Sequence, residues 1–288
     1  MSTQPPHPPA QTDTVKTSSD IYGLGRSGGQ RGAEILAGLR AISTPTPETK
    51  ALSTMMGRLI TRTLLSMLRN KGGVNLVFAR SKTIEDRIRE ELQANATFTH
   101  IELASGLAPR TLTLAREFPQ ATIIDLDQPD VIQAKQERVR SSALPLPDNL
   151  KFVSMDLGTE DLPTMLGQVN ADSIAAEGLT MYLEQEQLTF LLSNIYRTLK
   201  PNGLLVCDVQ SAKGVAEVME HGGRIFARQA GQYKLNFKDE ETLRARFDAE
   251  GFTSIRVYRP SDTAKAQKLP LPVIDAVWVV SCRRKADA

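Results

Sequence analysis

The spacing of apolar residues changes along this 288-residue chain. Between Ala33 and about Asn70, Ile35, Leu36, Leu39 and Ile42, then Met55, Leu59, Ile60, Leu64, Leu65 and Leu68, recur three or four apart, as on one face of a helix. Pro45 and Pro47 interrupt that stretch, so two or three helices are predicted. Ala79–Leu92 repeats the helical period, with Ser81 or Thr83 as its N-cap. From Thr99 the pattern becomes an alternation. Short apolar runs at Thr99–Leu103, Ala121–Asp125, Leu150–Met155, Asp172–Glu177 and Leu204–Val209 are separated by helical stretches ending near Glu117, Ser141, Val169 and Leu199. Repeated strand and helix predict an α/β fold with a doubly wound, mostly parallel seven-stranded sheet behind an N-terminal helical cap. The unbroken Leu204–Val209 run reads as a strand buried on both faces. A helix over 239–250 stops at Gly251. Strands at Thr253–Tyr258 and Val273–Cys282 close the sheet as an antiparallel pair, and the link between them, with Pro260, Pro270 and Pro272, shows no strong helical pattern.

Three regions follow. Residues 1–32 read as a disordered tail, rich in Pro, Thr, Ser and Gln, and a flexible glycine-bearing hinge. Residues 33–95 form the helical cap, and 96–288 the core. A net charge of +2, with Lys and Arg scattered among acids, argues against nucleic acid as a partner and for a small molecule. No apolar run is long enough to span a membrane, and the N-terminus lacks the signature of a signal peptide, so a cytoplasmic protein is expected. Cys207 and Cys282 fall in predicted strands, as reduced buried thiols would. His7, His100 and His221 have no metal-ligand spacing, so no metal is expected. Oligomeric state is left open.

The candidate chemistry gathers at the carboxyl ends of the strands, where open α/β sheets bind ligands. In Glu102-Leu-Ala104-Ser105-Gly106-Leu-Ala-Pro-Arg110, one glycine stands where a dinucleotide fingerprint needs three, which disfavours a nicotinamide oxidoreductase. The acids instead suit a nucleoside bearing an amino acid. Glu102 can meet a cationic amino group, and Asp125 or Asp127, about 20 residues on, lies at the spacing of a ribose-binding carboxylate. Asp156, after the third strand, can accept from an adenine amino group, and Glu177 ends the fourth.

On these motifs the stretch from about Ala79 to Val209 resembles the class I S-adenosylmethionine-dependent methyltransferases, specifically the leucine carboxyl methyltransferase-like family, which includes polyketide O-methyltransferases. That family's acid-x-Gly-Ala-Gly-Leu-x-x-Arg pattern is matched by Glu102–Arg110 with alanine at the first glycine, and its acid-x-Asp-x-Pro pattern by Asp125-Leu-Asp127-Gln-Pro129. Glu177-Gly-Leu-Thr-Met-Tyr182-Leu183 matches its Glu-Gly-Leu-x-x-Tyr-Leu motif, and Leu199-Lys-Pro-Asn-Gly203 the turn before strand five. Arg80-Ser-Lys-Thr-Ile84-Glu-Asp86 is similar to its Arg before Ile-Asp-Asp. The resemblance implies a Rossmann-like methyltransferase fold with S-adenosylmethionine as cofactor and S-adenosylhomocysteine as product. It places Arg80, Glu102, Ala104, Ser105, Gly106, Arg110, Asp125, Asp127, Asp156, Leu157, Glu177 and Gly178 about the cofactor. Arg80 would clamp the methionine carboxylate bidentately.

Methyl transfer from a sulfonium is an in-line displacement, so the protein chiefly aligns the reactants and excludes water. A carboxylate acceptor is already ionised, whereas a hydroxyl needs a base, and His221 is the candidate. Tyr182 would pack on the cofactor or position the acceptor. Residues 211–250 would cover the acceptor pocket. The expected activity is transfer to an oxygen of a small molecule in secondary metabolism. Other readings are an S-adenosylmethionine-binding protein without turnover, or transfer to a protein carboxylate or to N or C. Nucleobase amino methylation is disfavoured, because Ala176-Glu-Gly-Leu stands where that chemistry uses an Asn/Asp-Pro-Pro-aromatic run.

Overall fold

The structure is a computed structural model that describes residues 26–67, 71–95, 97–142, 144–167, 169–220 and 234–286. Four helices open it: α1 (Arg26–Ser43), α2 (Pro47–Leu52), α3 (Met55–Met67) and α4 (Gly72–Ala94). α1 begins inside the glycine-bearing stretch read as a hinge, because each further helical residue adds a backbone hydrogen bond once Ala33 onward has nucleated the helix. Thr46 and Thr49 cap α2 reciprocally, each hydroxyl taking the other's N–H, and Pro47 occupies its first turn. α4 starts seven residues before the expected Ala79, so Ser81 and Thr83 are interior rather than N-caps. The buried positions Leu76, Ala79, Thr83, Ile84, Ile88 and Leu92 continue one stripe across them. Gly38 lets α1 and α3 touch: a Cβ there would lie 2.6 Å from Thr61 Oγ1 and 2.7 Å from the Gly57 carbonyl oxygen.

The sheet is built of β1 (Thr99–Leu103), β2 (Thr122–Asp127), β3 (Leu150–Ser154), β4 (Ala171–Ala176), β5 (Leu199–Gln210), β6 (Phe252–Tyr258) and β7 (Val277–Arg284), in the order β3-β2-β1-β4-β5-β7-β6. β1 to β5 are parallel, and β7 runs antiparallel between β5 and β6. Cys207 on β5 and Cys282 on β7 are buried free thiols. One face of the sheet, with Ile101, Leu103, Ile124 and Leu205, is covered by α7 (Leu162–Met165), α8 (Gln185–Thr198) and α10 (Glu240–Ala249). The other, with Ile123, Ala175, Leu204 and Val279, lies under α4, α5 (Arg110–Glu117) and α6 (Pro129–Ser141). α9 (Ala212–Glu220) follows β5 directly.

Two expectations change in the last third. The link between β6 and β7 holds a helix, α11 (Pro260–Ala266), started by Pro260 at its first turn and docked on α4, with Ala264 fully buried and Thr83 and Thr263 joined by a 2.7 Å hydroxyl bond. Tertiary packing supplies what a weak periodicity did not. Residues 240–250, read as part of a pocket cover, instead support the sheet, since Leu243 and Phe247 of α10 are fully buried in the core. Among the described residues no helix is long and apolar enough to cross a membrane.

Candidate functional site

The strand order reverses between β1 and β4, so connections leave in opposite directions and a crevice opens above their carboxyl ends. Three turns line it. The first follows β1, where Ala104 (φ 50°) and Gly106 (φ 54°) are both left-handed. The Gly106 N–H donates to Asp127 Oδ2 at 2.6 Å, and the Gln128 N–H to Asp127 Oδ1 at 2.7 Å. A Cβ on Gly106 would meet nothing within 4 Å, so the turn presents bare backbone to open space. The second turn, after β3, carries Asp156, whose Oδ1 takes the Gly158 N–H, and Leu157. Leu157 joins Leu179, Leu183, Phe190 and Leu191 around an apolar cavity of about 180 Å³. The third, after β4, carries Glu177 and left-handed Gly178.

Between the crevice and α4 lies an ionic cluster. Arg80 reaches down from α4 to Glu177 Oε1 at 2.9 Å and to Asp208 Oδ2 of β5 at 3.0 Å. Arg110, the first residue of α5, binds Glu102 Oε1 at 2.5 Å, Glu177, and Ser81 Oγ at 2.9 Å. Arg40, from α1, stands 3.6 Å from Glu177. Three guanidiniums thus face three carboxylates in low-dielectric surroundings. Burial alone would raise Glu177, but Arg110, Arg80 and Arg40 outweigh it and hold its carboxyl well below the usual range. Burial, together with Arg110 and Arg80, lowers the Arg40 pKa against the pull of Glu177. Asp208 goes up, because burial there exceeds the help from Arg80 and from the Gly178 N–H that it accepts at 2.8 Å. Burial also pushes Asp127 up to about 6 against the two backbone N–H groups and Lys135.

Arg80, Ala104, Gly106, Asp127, Asp156, Leu157, Glu177 and Gly178 lie on α4 and on the three turns that line this crevice. Four predicted contacts do not reach it. Glu102 is buried beneath the crevice, its charge taken by Arg110 and by His100 Nε2 at 3.3 Å, so it orients Arg110 rather than meeting an amino group. Arg110 is likewise enclosed by its partners. Asp125 is fully buried and turned away from the crevice, accepting from Ser105, Thr111 and Lys135, whose Nζ lies 2.6 Å away. Asp127, two residues on, lies on the same face of β2 but is the last residue of the strand, so it reaches the rim instead. Ser105 sits beneath the turn with Asp125. Tyr182, in the 3₁₀ turn Thr180–Tyr182, packs on Leu76, Met181, Ala276 and Val277 at the crevice mouth. His221 lies outside the described residues.

Arg40, Asp208 and Lys135 were not singled out from the sequence. Two carried a signal. Asp208 is a lone acid inside the apolar Leu204–Val209 run, where a carboxylate requires a partner, and Lys135 falls on the buried stripe of α6 with Ile132 and Val139. Arg40 carried none beyond its place in a helix.

Compared with known proteins, the chain matches leucine carboxyl methyltransferase over residues 48–196, 149 of its 288 residues. The chain belongs to the leucine carboxyl methyltransferase family. Membership assigns it to the S-adenosylmethionine-dependent methyltransferases, and the match spans α4, the β1 turn, Asp127 and the Glu177 motif. It is 27% identical over 118 residues to a Bacillus subtilis (strain 168) protein named "Putative methyltransferase YqeM", covering 41% of this chain and 44% of that one. It is 21% identical over 212 residues to demethylmenaquinone methyltransferase of Staphylococcus carnosus (strain TM300), covering 62% and 78%. The chain thus spans under half the length of the first of these relatives and about three quarters of the second. Its fold is shared with a possible exported protein from Bordetella parapertussis, at TM-score 0.55 and 15% identity over 96% of this chain and 99% of that one.

The residues present fit S-adenosylmethionine. Gly106 leaves backbone room for a nucleoside, Asp127 stands at the rim for ribose hydroxyls, Asp156 and the leucine-lined cavity suit a flat base, and the arginine–carboxylate cluster can exchange internal ion pairs for those of a zwitterionic amino acid.

Proposed function

We propose that this protein transfers a methyl group from S-adenosylmethionine to an oxygen, hydroxyl or carboxylate, of a small molecule in secondary metabolism. The observation that carries the cofactor half is the cluster of Arg40, Arg80 and Arg110 about Glu177 at the switch point. Opposed charges there mirror the ammonium and carboxylate of an amino acid. When bound, the cofactor supplies an electrophilic methyl on its sulfonium. The chain's part is alignment. Arg80, with Arg40 beside it, holds a carboxylate, Glu177 faces an ammonium, Asp127 accepts from ribose hydroxyls, and Tyr182 with Met181 walls the mouth against water.

The oxygen acceptor is supported by the Ala176-Glu-Gly-Leu sequence after β4, which lacks the amide- and proline-bearing run used for amino groups, and by membership of a family named for carboxyl methylation. For a hydroxyl acceptor, His221 is our candidate base; a carboxylate needs none. A small molecule, rather than nucleic acid or a membrane, is the proposed partner.

The test is transfer of labelled methyl from S-adenosylmethionine to metabolite fractions, followed by mild alkali and mass spectrometry. Methyl esters release methanol under alkali and methyl ethers survive. Label carried on nitrogen or carbon would refute the oxygen assignment, and labelled protein carboxylates would replace the small-molecule partner.

A further inference from the structure

Two adjacent residues set the turn after β1. Alanine stands at 104, where the family resemblance implies a glycine, and serine follows at 105. The alanine carries a conformational penalty. Ala104 has φ 50°, a left-handed conformation that disfavours a residue with a Cβ, and its side chain packs against the core cluster on one face of the sheet. The serine supplies a hydroxyl where it can oppose that penalty. Ser105 Oγ donates to Asp125 Oδ1 and accepts from Lys135 Nζ at 3.2 Å, while the Ser105 N–H donates to the Leu126 carbonyl at 3.2 Å. Asp125 is held in turn by Lys135 Nζ at 2.6 Å and by Thr111 Oγ1. Lys135 and Asp125 are fully buried, and Ser105 and Thr111 nearly so. Each polar atom in this triangle has a donor or acceptor of the right kind. Ser105 needs both functions at once, which an alanine could not supply.

The residue after Ala104 is therefore tied to β2 through backbone and side chain together, and the next one, Gly106, offers its N–H to Asp127. Lys135 and Asp125 take no part in the crevice, yet their ion pair lies directly beneath this turn. Such pairs are seldom retained for stability alone, because burying two charges offsets most of their attraction.

We infer that Ser105, Asp125 and Lys135 form a buried latch that takes the place of the missing glycine, holding Ala104 left-handed so that Gly106 and Asp127 keep their cofactor-binding geometry. Ser105 is then a positioning residue acting through Ala104. The inference rests on the proposed S-adenosylmethionine site.

Four proteins test it: the natural chain, Ala104→Gly, Ser105→Ala and the double variant, each titrated calorimetrically with S-adenosylhomocysteine. Ser105→Ala should raise Kd about tenfold, the counterpart of roughly 1.4 kcal/mol of released backbone strain. Adding Ala104→Gly should return Kd to within about twofold of the natural protein, because glycine adopts positive φ without a latch. With substrate in hand, the Ser105→Ala change should appear in KM for S-adenosylmethionine rather than kcat. A hydroxyl that merely fills space would leave the double variant as weak as the single. That result, or an unchanged Kd in Ser105→Ala, overturns the latch. If the natural protein does not bind S-adenosylhomocysteine, the cofactor reading fails. The latch is then judged by amide exchange at Gly106, which should quicken in Ser105→Ala and slow again in the double variant; equal exchange in all four overturns it.

Discussion

Asp127 offers the sharpest test of the cofactor site, because two consequences of its environment run in opposite directions. Burial pushes its pKa up to about 6 from an ordinary 3.8, even with the Gly106 and Gln128 N–H groups and Lys135 favouring the anion. If the ionised carboxylate accepts from ribose hydroxyls, the apparent Kd for S-adenosylhomocysteine scales as 1 + 10^(6 − pH). Affinity should be nearly constant at pH 7, fall about twofold at pH 6 and fall about tenfold at pH 5. Stability moves the other way. A carboxyl whose folded pKa is raised penalises the folded state while ionised, and that penalty is relieved as pH falls from about 6 toward 4. Glu177 and Glu102, held low by their arginines, keep their contributions until pH drops below about 4.5, their ordinary value. Between pH 6.5 and 5 the unliganded protein should therefore not lose stability at Asp127 while it loses ligand. The assay is calorimetric titration from pH 5 to 7 beside thermal scans of the free protein. Asp127→Asn is the control, because Asp208, also raised, faces Arg80 and Gly178 rather than the rim. It should bind weakly and with a flat profile over this range. A natural protein with a flat profile, or an Asp127→Asn variant with the same slope, refutes the argument.

Two further perturbations probe the scaffold. Glu177→Gln leaves Arg40, Arg80 and Arg110 facing only Glu102 and Asp208, and should cost about 3 to 5 kcal/mol in urea unfolding, the range for breaking a buried ion pair. Unaltered unfolding would mean that the cluster is solvated. Gly38→Ala drives a Cβ against Thr61 Oγ1 and the Gly57 carbonyl, so α1 must shift from α3 at about 1 to 3 kcal/mol. Because α1 carries Arg40, S-adenosylhomocysteine affinity should fall as well, and a lowered melting temperature with unchanged Kd would remove Arg40 from the site.

The sheet core was readable along the chain because local patterns specify it. Strand, turn and helix alternate from Thr99 to Gln210 with periods that burial on two faces imposes, and the rim residues Asp127, Asp156 and Glu177 are the ones at which apolar strands end. Where packing replaces periodicity, the reading failed. α11 has a weak stripe and exists because Ala264 and Thr263 dock on α4, and the first turns of α4 were missed because Gly72, Gly73 and Asn75 are weak helix formers.

The amino-acid sequence by itself determined which acids, glycines and arginines stand at the strand ends, and hence the class of ligand that the crevice can take. Tertiary structure alone decided which of those charges face that ligand and which face each other. Glu102, Arg110 and Asp125 read as cofactor contacts until the fold enclosed them with His100, Glu177 and Lys135. Arg40 entered the site from a helix about 60 residues before the first turn that lines it. The reason is electrostatic. A charge removed from water must find its counter-charge in space, and that partner is set by the packing of helices on the sheet rather than by distance along the chain.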